Sequence, residues 1–242
     1  MSTKPSIVFA HGLWADGSCF SKVIDLLQAD GYECIATQNQ LNTVEDDAAS
    51  VRTSLSRVGS TPAVLVGHSY GGTVITAAGT DDRVGALVYI CALAPDEGET
   101  SQAEQEKHPR TAVFDHIDVV DGRIWLKPSG TAEFCGDLSD AEQKLVFATQ
   151  GAPLADLFSQ PVHGAAWKTK PTFYIVGTED HTVHPELERF VAQRMNAKVT
   201  ELQSSHVPML SQPREVYEVI KQAADVVSQG VGQVQQLEPT PA

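Results

Sequence analysis

The sequence predicts an α/β domain, a mainly parallel central sheet flanked by helices, with a small cap inserted ahead of the last two strands. Short apolar runs rich in β-branched residues alternate with amphipathic segments, the pattern of a parallel sheet covered by helices. A length of 242 residues suits one well-buried domain of that kind and falls short of two. The run Ala63-Val64-Leu65-Val66-Gly67-His68-Ser69-Tyr70-Gly71-Gly72 passes from a buried strand through a tight turn into an Ala-rich helix. Gly67 and Gly71 lack a Cβ, which lets strand and helix close on each other.

Along the chain, strands are expected at 6–10, 32–37, 62–67, 84–91, 171–176 and 197–202. Between them, 18–30 and 44–58 place apolar residues at three- and four-residue spacing, such as Phe20, Val23, Ile24 and Leu27, and read as surface helices. Gly31 and Gly59 stop them. Further helices are expected at 69–79, 185–195 and 213–227.

Residues 1–93 and 171–228 thus form the core, and 94–170 an inserted cap. Within that cap, the Asp121-Gly122 pair flanked by β-formers predicts a hairpin. Ser139-Asp140-Ala141-Glu142 opens a helix through a capping box. Residues 229–242 are polar and punctuated by Gly and Pro, and are expected as a loose tail.

Composition removes several classes of function. A formal charge of −14 with no offsetting Lys/Arg run disfavours nucleic acid and anionic membrane surfaces. No apolar run reaches the ~18 residues of a membrane span. The start of the chain has too short an apolar stretch for a secretory signal, so a cytoplasmic location is expected. Cys19, Cys34, Cys91 and Cys135 show no Cys-x-x-Cys spacing and read as small core residues. The oligomeric state is left open, a homodimer included.

The Gly67-x-Ser69-x-Gly71 turn lifts a serine hydroxyl out at the end of a strand, where it is a candidate nucleophile. Such a serine needs a base held by a carboxylate, in the chain order serine, acid, histidine. Asp180 follows the strand at 171–176 and His206 follows the strand at 197–202. One βαβ unit separates them, which sets their loops side by side at one sheet end. Glu179 and Asp96 are the rival acids.

Backbone amides suited to a developing oxyanion come from Tyr70, directly after the serine, and from Leu13 in the loop His11-Gly12-Leu13-Trp14. Gly12, Trp14, His68 and Val207 are expected around the substrate. Trp125 and Trp167 fit either core or pocket. His181 and His184 form His-x-x-His without a supporting ligand at metal-site spacing, and Gly-x-Gly-x-x-Gly is absent from the turn. Neither a metal nor an organic cofactor is expected.

With these motifs, and with Ser205-His206-Val207-Pro208, the chain from about residue 6 to 227 resembles the α/β-hydrolase superfamily. Its compact cap and His-Gly loop resemble the branch holding salicylate and methyl esterases and plant hydroxynitrile lyases. The resemblance implies a Ser-His-Asp triad acting on a small-molecule ester. In the lyases a threonine stands where this chain has Gly12 and a lysine follows the acid, where this chain has His181. Related dehalogenases carry aspartate in place of Ser69. The expected activity is therefore a serine carboxylesterase for a small to medium, apolar or aromatic ester. A lyase using the same triad and a hydrolase-fold small-molecule receptor are the alternatives.

Overall fold

The computed structural model describes residues 4–60 and 62–237, with side chains to residue 230. Its strands are β1 (Ile7–Ala10), β2 (Cys34–Thr37), β3 (Ala63–His68), β4 (Val84–Ile90), β5 (Ile117–Val120), β6 (Arg123–Leu126), β7 (Thr172–Gly177) and β8 (Lys198–Leu202). Among the described residues, six pair in the order β2-β1-β3-β4-β7-β8, every pair parallel. β1, β3 and β7 are buried along their whole length, which is why they are written as continuous apolar runs rather than alternating ones. β5 and β6 form a separate antiparallel hairpin turning at Asp121-Gly122, both with positive φ, as that dipeptide favours.

The helices are α1 (Ser21–Ala29), α2 (Val44–Leu55), α3 (Tyr70–Ala78), α4 (Ser101–Gln105), α5 (Thr131–Cys135), α6 (Asp140–Ala148), α7 (Pro185–Arg194), α8 (Pro208–Ser211) and α9 (Pro213–Leu237). Their starts follow local chemistry. Thr43 accepts from the Asp46 N–H to cap α2, Ser139 and Glu142 close the capping box of α6, and His184 caps α7. The segment expected as one helix over 18–30 begins instead as a 3₁₀ turn, Gly17–Phe20, capped by Asp16. The loose tail expected from residue 229 is corrected over 229–237, where α9 continues as helix. Gly230 and Gly232 each cost only about 1 kcal/mol in a helix already propagating. Residues 238–242 lie outside the described residues.

Strand order reverses between β1 and β3, because the chain leaves β1 for β2 on one side and returns to β3 on the other. In open parallel sheets the crevice beyond the carboxyl ends at such a reversal is where ligands bind. Here it lies between the His11-Gly12-Leu13 loop and Ser69.

The segment between β4 and β7, which holds α4, the hairpin, α5 and α6, is tied to the sheet at two separate places. Arg194 of α7 donates to Glu99 (2.8 Å), Glu104 (2.5 Å) and the Ala94 carbonyl (2.6 Å). At the hairpin side, Trp14 Nε1 donates to the Ile124 carbonyl (3.0 Å) and Arg123 to Asn42 (2.5 Å). Glu104 is fully enclosed, and burial pushes its carboxyl up to about 7 against the pull of Arg194. No described helix is long and apolar enough to cross a membrane.

Candidate active site

Ser69 joins β3 to α3 with φ 56° and ψ −126°, a backbone conformation that costs on the order of 1–3 kcal/mol and persists only where its surroundings enforce it. The enforcement is close packing. A Cβ on Gly67 would lie 2.5 Å from the Gly71 carbonyl oxygen, and one on Gly71 would lie 2.0 Å from that of Ala10. The Ser69 N–H donates to Ile90 O (3.0 Å) and its carbonyl accepts from Leu93 N (3.2 Å), which fixes the turn against the end of β4.

Asp180 and His206 meet as the chain order predicts. His206 Nδ1 donates to Asp180 Oδ2 at 2.5 Å, with both residues buried. The other carboxylate oxygen accepts from the Thr182 (2.6 Å) and Val183 (2.9 Å) amides, so the acid is fixed in place before it orients the ring. Neither rival acid reaches the ring. Glu179 accepts from Gln203 at the surface, and Asp96 pairs with Lys168. His206 Nε2 is buried with no hydrogen-bond partner among the described residues, which leaves that nitrogen unengaged.

The amides of Leu13 and Tyr70 likewise make no hydrogen bond among the described residues, and Tyr70 opens α3, where helix N–H groups are unpaired. Their loops are tightly set. His11 Nδ1 donates to Gly12 O (2.9 Å) while Nε2 accepts from Asn39 N–H (2.9 Å), and burial lowers the pKa of this ring. Tyr70 Oη donates to Asp47 Oδ2 (3.0 Å), anchoring α3 to α2.

The four residues expected around the substrate lie in different surroundings. Gly12 lies directly under the serine: a Cβ there would be 2.5 Å from Ser69 Cβ. Trp14 lines a narrow cavity of about 60 Å³ together with Leu13, Ser69, Phe114, Ile124 and Leu154. That slot shares Gln105, Phe114, Phe158 and Thr182 with an open outer cavity of about 460 Å³ lined also by Glu106, His108, Arg110 and His184. Val207 faces a different space, of about 260 Å³, on the other side of Trp14.

His68 lines none of these spaces: it is fully buried, donates Nε2–H to the His206 carbonyl (2.8 Å) and sets its ring 4.6 Å from that of His206. Burial, followed by the neighbouring His206, holds its pKa well below that of a free histidine.

Three side chains were missed. Phe134 packs edge-on against His206 with ring centroids 5.1 Å apart. Asp137 accepts from the Ser205 N–H (3.1 Å) and hydroxyl, steadying the histidine loop. Glu188 is fully buried beside Asp180; burial and that neighbouring carboxylate push its carboxyl up, while Oε2 accepts from Gly177 N (3.0 Å). Glu188 was readable in principle, since it shares a helical face with Leu187, Val191 and Ala192. Phe134 and Asp137 had no pattern to announce them.

Cys91 Sγ lies within 4.8 Å of the Asp180 and His206 ligand atoms, but burial raises its thiol pKa strongly. A metal would require the thiolate and would break the Asp180–His206 bond. His181 pairs with Glu133 (2.8 Å), and Trp125 stands at the surface while Trp167 is buried.

A model of the alpha/beta hydrolase family matches residues 7–219. The chain is 25% identical to Methylesterase 8 of Arabidopsis thaliana over 93% of this chain and 91% of that protein. It is 27% identical to Pyrethroid hydrolase of Sphingobium wenxiniae over 92% of this chain and 89% of that one. The solved structure of polyneuridine aldehyde esterase superimposes with a TM-score of 0.80 at 21% identity, covering 92% of this chain and 100% of that one, a likeness of fold.

Proposed function

The chain belongs to the alpha/beta hydrolase family, and from that premise we propose that it is a cofactor-independent serine carboxylesterase. Its substrate is a small to medium, apolar or aromatic ester. The observation that carries this reading is the buried His206–Asp180 pair with a free Nε2; Ser69, in a strained turn after β3, supports it as the nucleophile. The relatives named as a methylesterase and a pyrethroid hydrolase support the same class of reaction.

In this mechanism Ser69 Oγ attacks the ester carbonyl as His206 Nε2 takes its proton, and Asp180 stabilises the imidazolium and holds its tautomer. The Leu13 and Tyr70 amides receive the oxyanion. Such donors are worth about 3–4 kcal/mol each. Collapse breaks the carbon–oxygen bond to the alcohol, which leaves with the proton from His206. Water, deprotonated by the same ring, then attacks the acyl-serine and releases the carboxylic acid. The apolar slot holds the reacting end, and the segment at 94–170 acts as a cap that shapes it.

Gly12 counts against the lyase alternative. No side chain fits between that position and Ser69, so the hydroxyl that a threonine contributes in the lyases has no place here. Hydrolysis of a p-nitrophenyl ester series by the wild type and by Ser69→Ala tests the reading. The expected result is a pre-steady-state burst in the wild type and a loss of at least about 10⁴-fold in the variant. Equal turnover by both proteins would overturn it.

A further inference from the structure

We propose that Trp14 is a partition that caps the length of the alcohol arm of the substrate, and that the chamber beyond it, open to the surface but walled off from Ser69, is a subsite for an apolar alcohol chain. This rests on the ester-hydrolase reading.

Trp14 is the wall common to two cavities. Trp14 lines both the slot of about 60 Å³ that contains Ser69 and the chamber of about 260 Å³, and its indole reaches Ile124 in the wall of the first and Phe134 in the wall of the second. The ring is 3% exposed and held from three directions. Nε1 donates to Ile124 O (3.0 Å), the backbone N–H donates to Gly151 O (2.9 Å), and Phe134 meets the ring edge-on at 6.0 Å. Its φ of 53° lies in the left-handed region that a bulky residue avoids unless the surroundings compel it. A tryptophan strained and pinned between two spaces is placed to separate them.

The chamber lies on the histidine side of the reaction. Val207, directly after His206, lines it, as does Phe134, whose ring packs on that of His206. A leaving alcohol must receive its proton from His206 Nε2 and so needs its oxygen within hydrogen-bond reach of that ring, and a chain attached to it continues toward this side. The walls, among them Cys19, Leu138, Val146 and Leu210, suit alkyl or aryl groups. Charge appears at the Lys22–Glu142 pair (2.6 Å), which also lines the chamber. With the indole in place, an alcohol arm longer than the slot has no path into this space.

Trp14→Gly is the informative variant, because glycine accepts the positive φ without strain and removes the wall. Acetate esters of methanol, butanol and octanol read the alcohol arm, and p-nitrophenyl acetate, butyrate and octanoate read the acyl arm. The octyl-to-methyl ratio of kcat/KM is expected to rise about tenfold or more in Trp14→Gly, since each methylene brought into apolar contact favours the longer ester. Millimolar indole, filling the space left by the side chain, should return the ratio toward the wild-type value, while the acyl-length ratio stays unchanged. Trp14→Leu, which lowers the wall without removing it, should give an intermediate alcohol ratio and supplies the reading if the glycine variant does not fold.

An alcohol ratio equal to wild type in the variants that fold, or a shift confined to the acyl arm, overturns the proposal. A wild type that hydrolyses none of the esters instead sinks the hydrolase reading beneath it.

Discussion

Burial keeps His11 and His68 uncharged, and each uses that neutrality. His11 can accept from Asn39 only through an unprotonated Nε2, and His68 spends its one N–H on the His206 carbonyl. Both have folded-state pKa values below that of a free histidine, so the unfolded chain binds protons that the native state refuses. The stability they contribute is complete above about pH 6.5 and is lost as pH falls through their depressed folded values. Glu104, raised to about 7, acts in the opposite sense, its contribution fading as pH rises from the ordinary carboxylate range through that value. Thermal unfolding of His68→Gln against wild type isolates the histidine part. The variant should show a shallower fall in Tm between pH 7 and pH 5, and parallel curves would refute the linkage. At this scale the sequence was most legible where order along the chain is diagnostic. The Asp180–His206 pair follows from the loops after two strands, whereas His68 is held by its bond to the His206 carbonyl, a contact that no local pattern announces.

The turn from β3 into α3 is built by the absence of side chains, which is a property of the element rather than of the serine. Gly71→Ala would drive a Cβ to 2.0 Å from a backbone carbonyl of β1, an overlap that only backbone movement relieves. A destabilisation of about 3 kcal/mol, together with a fall in kcat, is the expected outcome; urea unfolding and ester turnover measured on the same preparation check it. Full activity at unchanged stability would mean that the turn is less tightly packed than described. The inner strands β1, β3, β4 and β7 are readable because buried parallel strands are continuous apolar runs, while the partly exposed edge strands β2 and β8 follow from the alternation of strand and helix. The short helices α4, α5 and α8 are not readable, since four or five residues span little more than one helical turn and carry no period to detect. α9 outran its expected end because Gly and polar residues weaken a helix without stopping it.

For the molecule as a whole, the covering segment is fastened at both ends, by Arg194 on one side and by Trp14 and Arg123 on the other. A cover so held gives access through a fixed aperture and does not swing open. Initial rates should therefore rise smoothly as ester concentration passes the solubility limit; a sharp increase on formation of droplets or micelles would show that the cover opens at an interface. Arg194 carries a further consequence. It stands on α7, between the loops that supply Asp180 and His206, yet its partners Glu99 and Glu104 lie in the segment between β4 and β7. An exchange of that segment with a relative would strand a guanidinium only 19% exposed, at a cost of about 3–5 kcal/mol, unless both carboxylates travelled with it. The segment between β4 and β7 and the helix between the Asp180 and His206 loops are thus inherited as a unit through one side chain.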